Sequence, residues 1–451
     1  METVACAVCG GREYDVLIDK LEFCHGHALN PRGQVLHVNE KPVNYQHVCC
    51  RDCGFVYINP RMNQAETLEF YRSQYRALYS TGRDGAAEKS VSFTREHLGI
   101  EIYNAVLRYD YLVEKKLLRP GIKTLDVGCS LGALPAYLSR RGARAFGIEV
   151  SPYAREGQRL FGLDTIAEQP VETYDQESNF DIVTLCDVLE HLSGPELALM
   201  RVRELMSDDG VLLIEVPDLF RPHKPVMTFF SNAHVSTFSP ISITNLLGRC
   251  GFAVTGLSYG GFCKNMRVLA RKGPVVERQS RDHLVTISDS VMSYDRAYNA
   301  WQRCAHGKLD YATARSIIDD TLPECTTLEY LEGTRLMGAG RFREAQAFLL
   351  RCAQGDFNEE DLHQHPGSIY ALLVLCARNT GDCKRLQRYL LRAQQHAPRL
   401  YQFPYLDDLK HRGIFYMDEF VTLRGLPYKS LRELEQWWIE SQQPAVREMK
   451  Q

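Results

Sequence analysis

The sequence predicts an α/β chain: a mainly parallel seven-stranded sheet with an antiparallel last strand, preceded by a small cysteine-rich module and followed by an all-helical part. Three observations predict it. Residues 119–272 alternate short apolar runs with amphipathic segments, the pattern of parallel strands joined by crossover helices. Six of the 15 cysteines fall within the first 53 residues. Residues 275–445 carry helical periodicity and almost no strand signal. The 451 residues therefore divide into a module over 1–60, a helical linker or cap over 61–118, the sheet domain over 119–272 and helices over 275–451.

Within the sheet domain, strands are expected at Lys123–Cys129, Ala143–Val150, Asp164–Ala167, Phe180–Leu189, Gly210–Pro217, Ala253–Tyr259 and Lys264–Arg271. Helices are expected at Leu131–Arg141, Pro195–Met206 and Pro240–Cys250, the last capped by Ser239. Only Gly260-Gly261-Phe262-Cys263 links the final two strands, and so short a link permits only an antiparallel pair. The sheet is thus expected to be parallel with one reversed edge strand. In the linker, Tyr71, Tyr75 and Tyr79 form an i, i+4 stripe.

Bulk properties narrow the function. Hydrophobic residues make up 45% and charged residues 24%, as in ordinary soluble globular chains. A net charge of −3 without a basic stripe argues against a nucleic-acid partner. No apolar run approaches the ~20 residues that a membrane span needs. The start METVACAVCGGREYD lacks a secretory signal, so a cytoplasmic location is expected. In a reducing compartment, cysteines read as metal ligands or as small buried apolar groups.

The strongest chemical signal is Thr124-Leu-Asp-Val-Gly-Cys-Ser-Leu-Gly132, an apolar strand running into a glycine turn before a helix. The turn lacks the Gly-x-Gly-x-x-Gly of a dinucleotide fold. Glu149 stands at the tip of the next strand, where an acid accepts both ribose hydroxyls of a nucleoside. The Asp126-x-Gly128-x-x-x-Gly132 turn, Gly147-Ile-Glu-Val-Ser151 and Phe180-Asp-Ile-Val-Thr-Leu-Cys-Asp-Val-Leu-Glu-His191 resemble, in order, motifs of the class I S-adenosylmethionine-dependent methyltransferases. The resemblance covers about a third of the chain and implies a Rossmann-like fold and a methyltransferase activity with that cofactor. It implies that Asp126, Gly128, Cys129 and Gly132 contact the methionine part and that Glu149 holds the ribose. It places Glu168 or Val171 near adenine, and Asp187 and Val188 along the cofactor's other side.

Methyl transfer from a sulfonium needs alignment, exclusion of water and, for a protonated acceptor, a base. His191 and His234 lie in loops that open at the carboxyl face of the sheet, and either suits a base at neutral pH. Glu190 would orient a histidine or bind a metal. The structural alternatives are a loop-to-loop hydrogen bond for His191 and loop anchoring for His234.

Cys6-Ala-Val-Cys9-Gly and Cys50-Arg-Asp-Cys53-Gly form two Cys-x-x-Cys-Gly knuckles, the spacing of a closed four-sulfur structural zinc site. Cys49 or His47 offers a substitute for Cys50, and Cys24, His25 and His27 are spare ligands. Such a module ahead of a class I domain resembles the sugar methyltransferases, especially the deoxysugar C-methyltransferases. That resemblance implies a sugar, nucleotide-sugar or glycan acceptor, in polysaccharide or natural-product assembly. This chain departs from that family after residue 272, where helices replace a second α/β domain, so O-methylation is expected ahead of C-methylation. The alternatives are an RNA or small-molecule methyltransferase and a non-catalytic adaptor. Gly333, Gly340, Phe342, Ala345 and Cys352 match one tetratricopeptide-like repeat; Gly381, Ala393 and Pro398 match a second, degenerate copy at a longer offset than the usual period. These helices would either dock a protein partner or glycan, or cover the catalytic domain or make a dimer.

Overall fold

The computed structural model describes residues 1–20, 28–29, 35–36, 45–74, 95–220, 229–230, 233–260, 265–276, 280–305, 307–320, 327–354 and 366–396. Cys24, His25, His27, Tyr75, Tyr79 and Pro398 lie outside them. Strands β1 (Tyr14–Lys20), β2 (Ala28–Leu29), β3 (Val35–Leu36), β4 (Tyr45–Cys50) and β5 (Val56–Ile58) build the amino-terminal module. In it, β4 pairs antiparallel with β1 and with β5. Helix α1 (Gln64–Glu69) runs into a π-type turn over Phe70–Gln74, and α2 (Arg95–Glu114) leads into the main domain.

That domain comprises β6 (Lys123–Val127), α3 (Ala133–Ser139), β7 (Arg144–Glu149), α4 (Tyr153–Phe161), β8 (Ile166–Glu168), β9 (Phe180–Cys186), α5 (Pro195–Leu205), β10 (Met206–Val216), β11 (Ser236–Thr237), α6 (Pro240–Arg249), β12 (Phe252–Gly260) and β13 (Asn265–Lys272). Seven strands form one Rossmann-like sheet in the order β12-β13-β10-β9-β6-β7-β8. Strands β6 to β10 are mutually parallel, whereas β13 runs antiparallel to both β10 and β12. The expected edge position of the reversed strand is therefore corrected: β13 lies inside the sheet and β12 forms the edge. The physical reason is legible in burial. From Asn265 to Ala270 every residue of β13 is buried, as a strand covered on both faces requires. In β12, exposed Ala253, Thr255 and Leu257 alternate with half-buried Val254, Gly256 and Ser258, the pattern of an edge covered on one face.

Helix α4 was not among the expected elements. Its sequence carries Gly157 where an apolar helix former would signal a helix, because a Cβ there would lie 2.2 Å from the Leu131 carbonyl oxygen. Helix α6 starts as expected: Ser239 accepts from the Ser242 backbone N–H in a reciprocal capping box, with Pro240 in the first turn.

Beyond residue 280 the described chain is helical: α7 (Leu284–Ala305), α8 (Tyr311–Asp319), α9 (Thr327–Gly338), α10 (Phe342–Gln354), α11 (Pro366–Asn379) and α12 (Cys383–His396). The last four make two helix-turn-helix pairs. Gly340 and Gly381 occupy the two turns with the same φ of 72°. One continuous apolar cluster joins Ile102, Leu112 and Tyr137 of the main domain to Leu349, Leu373 and Leu386 of these pairs. Among the described residues no helix is long and apolar enough to cross a membrane.

Candidate active site

Strand β6 lies between β7 and β9, so the connections leaving its neighbours pass to opposite sides and open a crevice at the carboxyl ends. A cleft of about 280 Å³ occupies that position, near the lower end of the roughly 300–1,000 Å³ typical of small-molecule sites. Asp126, Gly128, Cys129, Glu149, Val171, Asp187 and Val188 all line it, as the sequence motifs imply.

The turn after β6 is shaped by close approach. Gly128 has φ 69°, and a Cβ there would stand 2.4 Å from Cγ2 of Val188. Gly132 sits at the start of α3 with φ 78°, beside the cleft rather than on its wall. Glu149 is 7% exposed, and its two oxygens accept from the backbone N–H groups of Ser130 at 3.0 Å and Ser151 at 2.8 Å. Those bonds fix the carboxylate at the strand tip, where each oxygen retains a further lone pair for a ligand hydroxyl. Asp126 is also buried. Desolvation raises its carboxyl to about 6, although a hydrogen bond from Thr184 Oγ1 opposes the rise. An acid held this way gains most from a cation brought into the cleft. Burial likewise pushes the Cys129 thiol well above its ordinary value, so it stays a neutral packing group. Glu168 does not line the cleft: its carboxylate pairs with Arg155 at 2.5 Å on the exposed side of β8. Val171 and Pro170 line that end instead.

Two wall residues carry no local sequence signal. Glu101 of α2 accepts from Ser130 Oγ at 2.5 Å and from the Leu131 N–H at 3.2 Å. Arg108 of the same helix donates to Glu215 Oε2 at 2.6 Å and to Asp187 Oδ2 at 2.7 Å. An acid and an arginine on an amphipathic helix look like an ordinary solvated face. Only the packing of α2 over the strand ends brings them to the cleft.

At the other end, His191 lines the cleft while Glu190 lies buried behind it at 2% exposure. His191 Nδ1 is 2.8 Å from the Ala233 carbonyl oxygen and 2.8 Å from the Tyr71 hydroxyl. A carbonyl only accepts, so Nδ1 carries the proton and Nε2 is the nitrogen with the lone pair. Tyr71 also donates to the Ala233 carbonyl at 3.1 Å. The His234 ring stands edge-on to His191, with centroids 4.9 Å apart. Both histidines and Glu190 are therefore neighbours, although 42 residues separate Ala233 from His191.

In the amino-terminal module, Cys6, Cys9, Cys50 and Cys53 bring their sulfurs within 4.8 Å of one another. Cys6 and Cys53 are 3.5 Å apart, as are Cys9 and Cys50. Four zinc–sulfur bonds of about 2.3 Å in a tetrahedron put the sulfurs roughly 3.8 Å apart, so this donor set fits such an ion. Strand alternation turns the substitutes away from this cluster. Cys49 packs with Val56, Leu219 and Phe230, and the His47 ring meets Phe230, both on the face of β4 opposite Cys50.

The module is built onto the catalytic domain. Strand β11, from the loop that carries His234, pairs antiparallel with β5 and completes a four-stranded sheet β1-β4-β5-β11. Ile58 N–H donates to the Val235 carbonyl at 2.9 Å, and Arg249 Nη1 donates to the Ala7 carbonyl at 3.0 Å.

Residues 103–257 match a family model described as a methyltransferase domain. The ubiquinone biosynthesis O-methyltransferase of Xanthomonas campestris pv. campestris (strain B100) is 31% identical over 115 residues, 24% of this chain and 48% of that protein. The protein of the same description from Hahella chejuensis is 36% identical over 98 residues, 20% of this chain and 40% of that one. The chain thus spans about half the length, or less, of these curated relatives. Among solved structures, magnesium protoporphyrin IX methyltransferase from Synechocystis with bound S-adenosylmethionine is 18% identical, with a TM-score of 0.34, over 48% of this chain and 100% of that one. The 1,6-didemethyltoxoflavin-N1-methyltransferase of Burkholderia thailandensis is 18% identical, with a TM-score of 0.36, over 49% and 96%.

Proposed function

We propose that residues 103–257, which match a methyltransferase-domain model, form a class I S-adenosylmethionine-dependent methyltransferase domain, and that the chain methylates an oxygen of a sugar or glycan in polysaccharide or natural-product assembly. One observation carries the methyl-transfer reading: a fixed, buried carboxylate, Glu149, stands at the tip of β7 directly against the turn after β6, accepting from its Ser130 N–H, and lines the same cleft as Gly128. S-Adenosylmethionine supplies a methyl group already activated by its positive sulfur. In this reading Glu149 accepts the ribose hydroxyls. Asp126, ionised, accepts from the methionine ammonium. Val171 faces adenine, since Glu168 is committed to Arg155. Asp187 and Val188 close the other side, and Gly128 lets backbone approach the ligand. His191, His234 and Glu190 attend to the acceptor and its proton.

Support for a sugar acceptor comes from the four-cysteine module, read as a structural zinc site, which resembles that of the sugar methyltransferases and is paired to the loop bearing His234. The O-methyltransferase descriptions of the curated relatives favour oxygen as the methylated atom. The test is calorimetric titration of the purified full chain with S-adenosylhomocysteine, followed by an acceptor screen over nucleotide sugars and glycans. Micromolar binding with methyl transfer to a sugar oxygen is the expected result. Folded protein that binds no S-adenosylhomocysteine overturns the cofactor reading, and transfer to a non-sugar phenol alone overturns the acceptor.

A further inference from the structure

Among the described residues a second group of metal-ligating side chains stands apart from the cysteines. Glu190, His191 and His234 each offer one ligand atom, and the three atoms lie within 4.8 Å of one another. We propose that these residues hold a divalent cation at the acceptor end of the cleft, and that the acceptor binds it through two adjacent oxygens, as in a vicinal diol. The choice of acceptor rests on the methyl-transfer reading; the metal site does not.

Four observations support the site. His191 Nε2 and Glu190 Oε1 are 3.8 Å apart. That is too long for a hydrogen bond, yet two ligands each about 2.0–2.2 Å from a shared ion stand roughly 3–4 Å from one another. The Ala233 carbonyl accepts from Nδ1 of His191 at 2.8 Å, which makes Nε2 the nitrogen able to bind a metal. A backbone acceptor on the far nitrogen is how metal-bound histidines are usually oriented. Next along the chain from Ala233 is His234, so the loop that orients one ligand supplies another. Pairing of Ser236 and Thr237 with Tyr57 and Val56 holds that loop in place. Lastly, Glu190 is 2% exposed, and a buried carboxylate beside two imidazoles is stabilised by a cation between them.

Two imidazoles and one carboxylate leave coordination positions open, the arrangement of ions that bind substrate rather than hold a fold together. His191 lines the cleft, so the open positions border the space for the acceptor. A hydroxyl bound to such an ion loses its proton to water more readily. The resulting alkoxide forms the O–C bond to the methyl carbon as the C–S bond breaks, and sulfur keeps the electron pair.

The experiment equilibrates the full chain with cobalt(II), removes unbound metal and counts total zinc plus cobalt per chain. Calorimetry with S-adenosylhomocysteine is run on the same sample. Two metal equivalents are expected, the second without the sulfur-to-cobalt absorption band of a thiolate site. Glu190→Gln and His234→Gln, made separately, should each return the count to one. A wild-type count of one that Cys50→Ser removes and Glu190→Gln leaves in place overturns the proposal and leaves the histidines as bare bases. A count that stays at two in both variants overturns it as well, by placing the second ion elsewhere. Two equivalents without S-adenosylhomocysteine binding would uphold the metal site and remove the methyl-transfer reading instead.

Discussion

Gly128 and Asp126 flank the same turn and constrain the cleft in different ways. At Gly128 the constraint is steric, because the left-handed backbone and the Val188 methyl leave no room for a Cβ. Gly128→Arg should therefore lose S-adenosylhomocysteine binding without unfolding the cysteine module; undiminished affinity by calorimetry would remove the turn from the site. At Asp126 the constraint is electrostatic. Its carboxyl titrates at about 6, above the ordinary 3.8, so between these values the folded state holds the proton that the unfolded state releases. The free protein consequently gains stability from this group as pH falls through that window. Cofactor affinity runs the other way if the ionised acid binds the ammonium: it should weaken by about tenfold per pH unit below 6. Asp126→Asn should abolish that slope, and calorimetry between pH 5 and 7 measures it.

Between elements, a buried ion network fixes how α2 lies against the sheet. Glu215 of β10 accepts from Arg108 of α2 and from Arg267 of β13, each at 2.6 Å. Although desolvation raises its carboxyl, the two guanidinium groups outweigh that and hold it at about 2. Its contribution to stability is complete above the ordinary value of 4.5 and is lost as pH falls toward 2. Glu215→Gln leaves two buried cations without their shared partner and should cost about 3–5 kcal/mol in urea unfolding. A shift under about 1 kcal/mol would mean that the network is solvated like a surface pair. The same network places Arg108 beside Asp187, so the variant should also weaken S-adenosylhomocysteine binding.

Over the whole molecule, the cysteine module and the catalytic domain share a sheet. Strand β11 belongs to the catalytic domain by sequence and to the module by hydrogen bonding. The Asp282 N–H donates to the Cys53 carbonyl at 3.3 Å, and Ser239 Oγ donates to the Asp282 carboxylate, which ties the start of the carboxyl-terminal helices to a knuckle and to the cap of α6. A metal bound at the cysteines would therefore bear on the loop that carries His234. Cys50→Ser should release that metal and speed hydrogen exchange at the Ile58 amide, which donates to Val235. Exchange unchanged from wild type, in protein shown to have lost the metal, would mean that the loop is held by the catalytic domain alone.

Features set by neighbours in the chain were legible in the sequence. Strand periodicity, the glycine turn after β6, the acid at the tip of β7 and the two cysteine knuckles each depend on a short stretch of residues whose chemistry falls at a fixed spacing. The antiparallel link between β12 and β13 followed from its length, but not which strand takes the interior place. That depends on which one offers an unbroken buried run, Asn265 to Ala270, to two faces of the sheet. Glu101 and Arg108 were likewise hidden, because nothing local distinguishes them from a solvated helix face, and the tyrosine stripe that marked Tyr71 gave no sign of its contacts with His191 and Ala233. The short strand β11 was hidden because its partner, β5, lies in a different module far earlier in the chain. The residues on their own determined the fold class and the grouping of Asp126, Gly128 and Glu149 at one end of the cleft, because a single βαβ unit carries all three. At the other end the sequence named His191, Glu190 and His234, but only tertiary structure decided that they meet one another and Tyr71, since a linker and two loops come together there only when the chain is packed.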